Sequence, residues 1–231
     1  MALFTTVLWD VDNTLLDFQL SQRYALEKAF EANHLMVNEA IQSRYDEINH
    51  AYWKLFELGE VTKEELLKGR FLTLFDAFGI QNVDLPEFMR VYQTELGNVF
   101  FYLDDSIHLC EHLKGRVNQY VITNGVTATQ KNKLKLSGLW DCMQEIFVSE
   151  DAGIQKPYPG FFEYCLGKIT EKNKEKILVI GDSLSSDIKG AVLSGLKSCW
   201  YNPKGEENTT EYIPDFEIRN LWDVLKILAE E

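Results

Sequence analysis

Asp10 and Asp12 stand two residues apart where an apolar run, residues 3–9, gives out. Along an extended chain, side chains at i and i+2 point the same way, so both carboxylates are expected to project into one site. Two negative charges held that close repel, and a proton on one of them or a cation between them relieves the repulsion. Asp10, Asp12 and Asn13 suit a solvated turn equally well, so these residues alone leave a catalytic and a loop role evenly balanced.

Three more clusters follow short apolar runs. In Val121-Ile122-Thr123-Asn124-Gly125 a hydroxyl, a carboxamide and a small residue could donate hydrogen bonds to phosphate oxygens without adding charge. Taken alone, Thr123 or Asn124 fits better as the cap of a helix over residues 126–136, since such caps are common. In Lys156-Pro157-Tyr158-Pro159-Gly160-Phe161-Phe162 two prolines stiffen the approach to a helix, with Pro159 suited to its first turn. A lysine held there could neutralise both a carboxylate nucleophile and an incoming phosphate. In Gly181-Asp182-Ser183, a carboxylate at a strand end suits magnesium, which takes hard oxygen ligands. Asp182 could instead cap the next helix, and Asp187 on that helix fits hydrogen bonding behind the ion better than direct ligation.

The elements that must position these groups are legible as a pattern. Apolar runs at 4–10, 117–123, 145–149, 177–182 and 198–201 alternate with helix-length segments. Runs apolar on both faces are expected to be parallel strands covered by helices on each side, an α/β fold with a Rossmann-like sheet. Ligands of such sheets collect at the carboxyl ends of the strands, where the polar clusters lie. From about residue 18 to 99 the pattern is helical instead. Ile41, Tyr45, Ile48, Tyr52 and Leu55 recur at 4-3-4-3 spacing. Thr62 and Glu65 form a capping box, and Asp84 before Pro86 marks another helix start. The expected organisation is a catalytic core of residues 1–17 and 100–231, with a helical cap, residues 18–99, inserted after the first strand and able to cover the site.

A chain of 231 residues with 45% hydrophobic and 26% charged residues is ordinary for a soluble protein with a substantial core. No apolar run reaches about 18 residues, so no membrane span is expected. The opening residues carry no basic n-region and lead directly into the first strand, which argues against a signal peptide. Cys110, Cys142, Cys165 and Cys199 are widely spaced, suiting free thiols in the cytoplasm. A formal net charge of −13 disfavours nucleic acid and anionic membranes as partners, but not a small phosphorylated molecule bound beside a cation. A monomer or weak homodimer is the default.

The set Asp10-x-Asp12-x-Thr14, Thr123-Asn124-Gly125, Lys156-Pro-x-Pro-x-x-Phe162 and Gly181-Asp182-x-x-x-x-Asp187 resembles the haloacid dehalogenase superfamily, in its phosphatase branch. The resemblance extends over nearly the whole chain, helical insertion included. It implies that Asp10 is a nucleophile forming an aspartyl-phosphate and Asp12 the general acid and base. It implies Mg2+ held by the Asp10 carboxylate, the Asp12 backbone carbonyl and Asp182, with Thr14 and Asp187 supporting from behind. Thr123, the backbone around Asn124, and Lys156 would bind the phosphoryl group. Dehalogenases of this fold lack the second Asp, because halide leaves without a proton; phosphate-ester hydrolases and mutases keep it. Asn13 stands where a glycine is often found.

On the helix through residues 41–58, Asn49, Trp53 and Phe56 lie at i, i+4 and i+7, a polar amide beside two aromatics that would suit a nucleobase. The same aromatics could bury against a neighbouring cap helix. Ile48-Asn49…Trp53…Phe56-Glu57…Gly59…Thr62, Gly69-Arg70-Phe71, Leu16-Asp17-Phe18 and Ser198-Cys-Trp200-Tyr-Asn202 are similar to the noncanonical pyrimidine 5′-nucleotidases. That branch implies nucleoside 5′-monophosphates as substrates. Alternatives are a sugar-phosphate or phosphoglycolate phosphatase, a β-phosphoglucomutase-like phosphotransferase and, outside enzymes, a phospho-accepting receiver or binding module.

Overall fold

Short apolar runs become strands in the computed structural model, which describes residues 4–228. β1 (Thr6–Trp9), β2 (Asn118–Thr123), β3 (Glu145–Val148), β4 (Ile177–Gly181), β5 (Lys197–Tyr201) and β6 (Phe216–Ile218) form one parallel sheet, ordered β3-β2-β1-β4-β5-β6. Five of them lie within or beside the expected apolar runs, and the α/β parallel-sheet class is the one observed. β6 was not anticipated; three residues with an exposed Glu217 at the centre carry no periodic signal. β1 is central, flanked by β2 and β4, with Thr6 in register with both Asn118 and Ile177. The chain thus builds outward from β1 to one side and then to the other. In sheets of this kind ligands gather at such a reversal, here the carboxyl ends of β1 and β4.

Between β1 and β2 run α1 (Phe18–Ala32), α2 (Glu39–Leu58), α3 (Lys63–Phe78) and α4 (Leu85–Asn98), followed by α5 (Ser106–Leu113). Later come α6 (Thr127–Leu136), α7 (Ser149–Ala152) and α8 (Pro159–Lys168). After β4 a π-helical turn, Leu184–Ile188, leads into α9 (Lys189–Leu193). The chain divides into two compact units, one running through Asp17 and resuming at Phe101, the other spanning Phe18–Phe100.

In the α/β unit Leu8, Ile122, Phe147, Val179, Phe161 and Phe162 belong to one buried cluster of strand and α8 side chains. The helical unit has its own core, dense in aromatics. Phe71 meets Phe88 edge-on at 5.2 Å and stacks on Tyr45 at 5.4 Å. Its helices start where the sequence signals them. Thr62 and Glu65 form the capping box of α3, and the Asp84 side chain accepts from the Glu87 N–H at the start of α4. Ile41, Tyr45 and Ile48 are buried as their stripe implies. At the end of α2 burial passes from Leu55 to Phe56, the drift of a 3.6-residue turn against a 3.5-residue repeat. Among the described residues no helix is long and apolar enough to cross a membrane.

Candidate active site

Asp10 is one residue past β1, and its N–H donates to the Ile180 carbonyl at 2.9 Å, so its backbone is fixed by the neighbouring strand. The chain then turns sharply. The N–H groups of Thr14, Leu15 and Leu16 all reach the Val11 carbonyl, and Asn13 takes a left-handed φ of 62°. Asn is among the few side chains that tolerate that conformation, which accounts for its standing in a glycine position. The turn brings the Thr14 hydroxyl back onto the site. Its oxygen donates to Asp10 Oδ2 at 3.1 Å and accepts from the Asp182 N–H at 3.1 Å, tying the ends of β1 and β4 together.

Lys156 reaches the same place from the segment between α7 and α8. Its ammonium is buried and donates to Asp10 Oδ1 (2.7 Å), Asp187 Oδ1 (2.6 Å) and the Ile122 carbonyl (3.1 Å). Three donors meet three acceptors, so the side chain has one orientation. The backbone is held as well: the Asn124 carboxamide accepts from the Lys156 N–H at 2.9 Å and donates to the Lys156 carbonyl at 3.0 Å. Pro159 opens α8, as its position in the sequence implies. Asp187 also accepts the Ser183 N–H on Oδ2. It packs so tightly on Gly181 that a Cβ there would lie 2.2 Å from its carboxylate, so glycine before Asp182 makes room for Asp187. Trp200, donating to the Asp182 carbonyl at 2.8 Å, fixes the loop from β5.

Neither Asp182 nor the Thr123–Asn124 pair serves as a helix cap. Ser183, not Asp182, caps the π-helical turn by accepting from the Ser186 N–H. At α6, Val126 occupies the cap position, and Glu150 accepts from the Thr127 N–H at 2.8 Å. Thr123 and Asn124 are thereby released for other contacts.

Electrostatically the site is short of positive charge. Burial pushes the Asp10 carboxyl up to about 7, against the pull of Lys156 and with the help of the Asp187 and Asp12 charges. Burial raises Asp182 well above the usual carboxylate range too, reinforced by Asp10 and Asp187. Burial alone would lower the Lys156 ammonium, but the Asp10 and Asp187 charges outweigh it and hold it protonated. Carboxylate oxygens of Asp10, Asp182 and Asp187 lie within 4.8 Å of one another, a hard-oxygen donor set that fits a small divalent cation. Both oxygens of Asp187 accept hydrogen bonds, as do both of Asp10, whereas Asp182 has one long contact, 3.4 Å to the Thr14 hydroxyl, and is the least engaged of the three.

A carboxylate with fixed direction, a buried ammonium and a cation-ready acidic set can serve nucleophilic attack on phosphorus. A family model for haloacid dehalogenase-like hydrolases matches residues 4–195. The chain belongs to the haloacid dehalogenase-like hydrolases. It is 38% identical to the HAD-hydrolase YfnB of Bacillus subtilis (strain 168), over 100% of this chain and 98% of that one. It is 36% identical to the pyrimidine 5′-nucleotidase PynA of Streptococcus pneumoniae (strain ATCC BAA-255 / R6), over 96% of this chain and 94% of that one. The crystal structure of YfnB bound to magnesium superposes with a TM-score of 0.92 at 37% identity, covering 98% of this chain and 99% of that one. The family resemblance read from the four motifs is thus borne out, and the chain is an enzyme of the hydrolase class.

Within this haloacid dehalogenase-like site, Asp12 is not one of the clustered carboxylates. Its carboxylate accepts from Gln130 Nε2 at 2.7 Å and from Lys133 Nζ at 3.1 Å. Sequence reasoning passed over both donors, because two polar residues on a helix read as a solvated face. The signal that could have found Gln130 is Gly125: a Cβ there would lie 2.5 Å from Gln130 Nε2, so this glycine accommodates Gln130.

The three residues expected to meet substrate from the helical unit do not share one open face. Asn49 is buried, donating to Gln22 Oε1 at 2.9 Å and accepting from Arg70 Nη1 at 2.8 Å. Gln22 continues the chain to Asp46, which also pairs with Arg23. The Arg70 guanidinium is buried over the Phe71 and Tyr92 rings. Phe56 is buried and half-buried Trp53 meets it edge-on at 5.8 Å. The Lys63 ammonium stands 5.0 Å from the Trp53 ring centroid and 5.2 Å from that of Phe56.

Proposed function

We propose that this protein is a magnesium-dependent phosphomonoester hydrolase of the cytoplasm that works through an aspartyl-phosphate, with pyrimidine nucleoside 5′-monophosphates as its substrates. The observation that carries the chemistry is Asp10, fixed by Lys156 and Thr14 at the end of the central strand with Asp182 beside it. The substrate class rests on the similarity to PynA along nearly the full chain.

Asp10 attacks phosphorus with a carboxylate oxygen, forming the acyl–phosphate bond as the bond to the ester oxygen breaks. Asp12 gives its proton to the departing 5′-oxygen. In the second half-reaction Asp12, now a carboxylate, takes a proton from water as that water attacks phosphorus; phosphate leaves and Asp10 is regenerated. Thr123 and the backbone around Asn124 bind the phosphoryl oxygens, and Lys156 joins them by turning the N–H it gives to Asp10 toward the phosphoryl group. Asp10, Asp182 and the Asp12 backbone carbonyl would hold Mg2+, whose charge would offset repulsion between an anionic nucleophile and an anionic phosphate. Asp187 acts through Lys156, and the helical unit, residues 18–99, serves as a specificity cap.

Phosphate release from UMP, dUMP, dTMP and phosphoglycolate, each with Mg2+, tests this reading. The expected order places the pyrimidine nucleotides first. Preference for phosphoglycolate or a sugar phosphate would overturn the substrate and keep the chemistry, and no release from any ester would overturn both.

The Lys63 cation over Trp53 and Phe56 makes a ready platform for a polar ring, or a packing contact of the cap. Trp53→Ala separates the two. If Trp53 meets the base, KM for UMP rises by about tenfold, a stacking contribution of 1–3 kcal/mol, while KM for p-nitrophenyl phosphate barely moves. Equal changes for both esters would return Trp53 to packing alone.

A further inference from the structure

Gln130 and Lys133 lie three residues apart on α6 and both are buried, Lys133 at 1% exposure. The Gln130 amide gives one N–H to Asp12 Oδ2 (2.7 Å) and the other to Thr123 Oγ1 (2.8 Å). Lys133 gives a third hydrogen bond, to Asp12 Oδ1 (3.1 Å). Every one of these contacts uses a donor, so the orientation matches Asp12 as a carboxylate, with a second lone pair on each oxygen still open. Thr123 Oγ1 also accepts from the Gly125 N–H at 3.0 Å. With two accepted bonds its proton must point elsewhere, and no described residue takes it.

This arrangement is bought at a local expense. Gln130 Oε1 is buried with no hydrogen-bond partner among the described residues, so its lost hydration is not compensated. Turning the amide over would satisfy nothing better, since it would set an oxygen against the Asp12 carboxylate. Gly125 is bare where any side chain would strike Gln130. A solvated polar face would show neither feature.

We propose that Gln130 and Lys133 are positioning residues for the second half-reaction, an inference that rests on the aspartyl-phosphate reading above. They hold Asp12 in the carboxylate orientation that takes a proton from the attacking water. Gln130 in addition aims the Thr123 hydroxyl proton outward, toward a phosphoryl oxygen. Substrate, Asp10 and cation are not touched by either residue.

Lys133→Met and Gln130→Met keep side-chain length and remove the donors. With p-nitrophenyl phosphate and Mg2+, Lys133→Met is expected to lower kcat by about tenfold or more, the scale of a mispositioned general base. KM falls with it, leaving kcat/KM nearly unchanged, because the first step is intact and phosphorylated enzyme accumulates. Rapid mixing then shows a burst of p-nitrophenolate close to one equivalent of enzyme, and intact-protein mass spectrometry shows the added phosphoryl group. Gln130→Met shows the burst as well, with some loss of kcat/KM from the Thr123 hydroxyl. It keeps the test available if Lys133→Met fails to fold. A folded variant of either residue that loses kcat and kcat/KM together without a burst would overturn the proposal, as would unchanged kinetics. Asp10→Asn in the same background identifies which idea has failed. A burst that survives it indicts the aspartyl-phosphate reading, whereas normal parental turnover with no burst in the variants indicts the positioning role alone.

Discussion

Asp10→Asn is expected to abolish phosphate release, by about 10⁴-fold or more, while leaving the protein folded. Loss of a nucleophile is among the largest single effects in catalysis, because the other groups have no bond-forming partner to assist. The size of the side chain is kept, so no cavity opens beneath β1. Lys156 still donates to Asp187 and to the Ile122 carbonyl, and Thr14 still links β1 to the Asp182 N–H. Replacing a carboxylate that burial has pushed up to about 7 also removes a charge the interior disfavours, which offsets the lost ion pair with Lys156. Melting within about 4 °C of the parent is the expected companion result, the shift from roughly 1 kcal/mol in a chain of this size. Magnesium-dependent hydrolysis retained in a homogeneous preparation would remove Asp10 from the nucleophile role.

Chelation is the second large effect. EDTA is expected to bring phosphate release down by at least about a hundredfold, with full recovery on adding excess Mg2+. Stability supplies a separate readout, and its sign follows from Asp10. In the metal-free fold its carboxyl sits at about 7, chiefly through burial, against an ordinary 3.8. Between those values the folded state keeps a proton that the unfolded chain has released. This group's contribution is therefore fully present below its unfolded value and is lost as pH rises through about 7. Asp182, also raised by burial and by its acidic neighbours, acts in the same direction. A bound divalent cation takes over the role of the proton. The gain in Tm on adding Mg2+ should thus grow from about pH 5 to about pH 8. A gain that is flat or shrinks over that range would mean that the cation does not bind at Asp10 and Asp182.

What the chain discloses before folding depends on whether a feature is local. The strands are legible because residues covered on both faces have no polar alternation to confuse them, and the four clusters at their ends are contiguous in sequence. The capping box of α3 and Asp84 at α4 need only four neighbouring residues. Lys133 is illegible for the opposite reason. Its partner Asp12 lies on the far side of the helical insertion, and nothing in the α6 sequence distinguishes a buried ammonium from a solvated one. Asn49 illustrates the same point inside the helical unit. Helical spacing set it beside Trp53, but its amide is claimed by Gln22 on α1 and Arg70 on α3, which no periodicity reveals. The place of Asp187 on the helix after Asp182 implies hydrogen bonding behind an ion; the contact that defines it, the ion pair with Lys156, joins residues 31 apart and no spacing reveals it.

The central place of β1 has a consequence for biosynthesis. Its sheet neighbours begin at Asn118 and Ile177, so the strand that carries Asp10 has no hydrogen-bonding partner until more than a hundred further residues have been made. At about 5–20 residues per second that is a wait of several seconds or more on the ribosome. The helical unit, contiguous in sequence and closing its aromatic core from near neighbours, can assemble in that interval, whereas the sheet depends on distant pairings that form slowly. The acidic cluster therefore comes together only after β4 has joined, and a nascent chain interrupted before Asp182 carries Asp10 without its acidic neighbours.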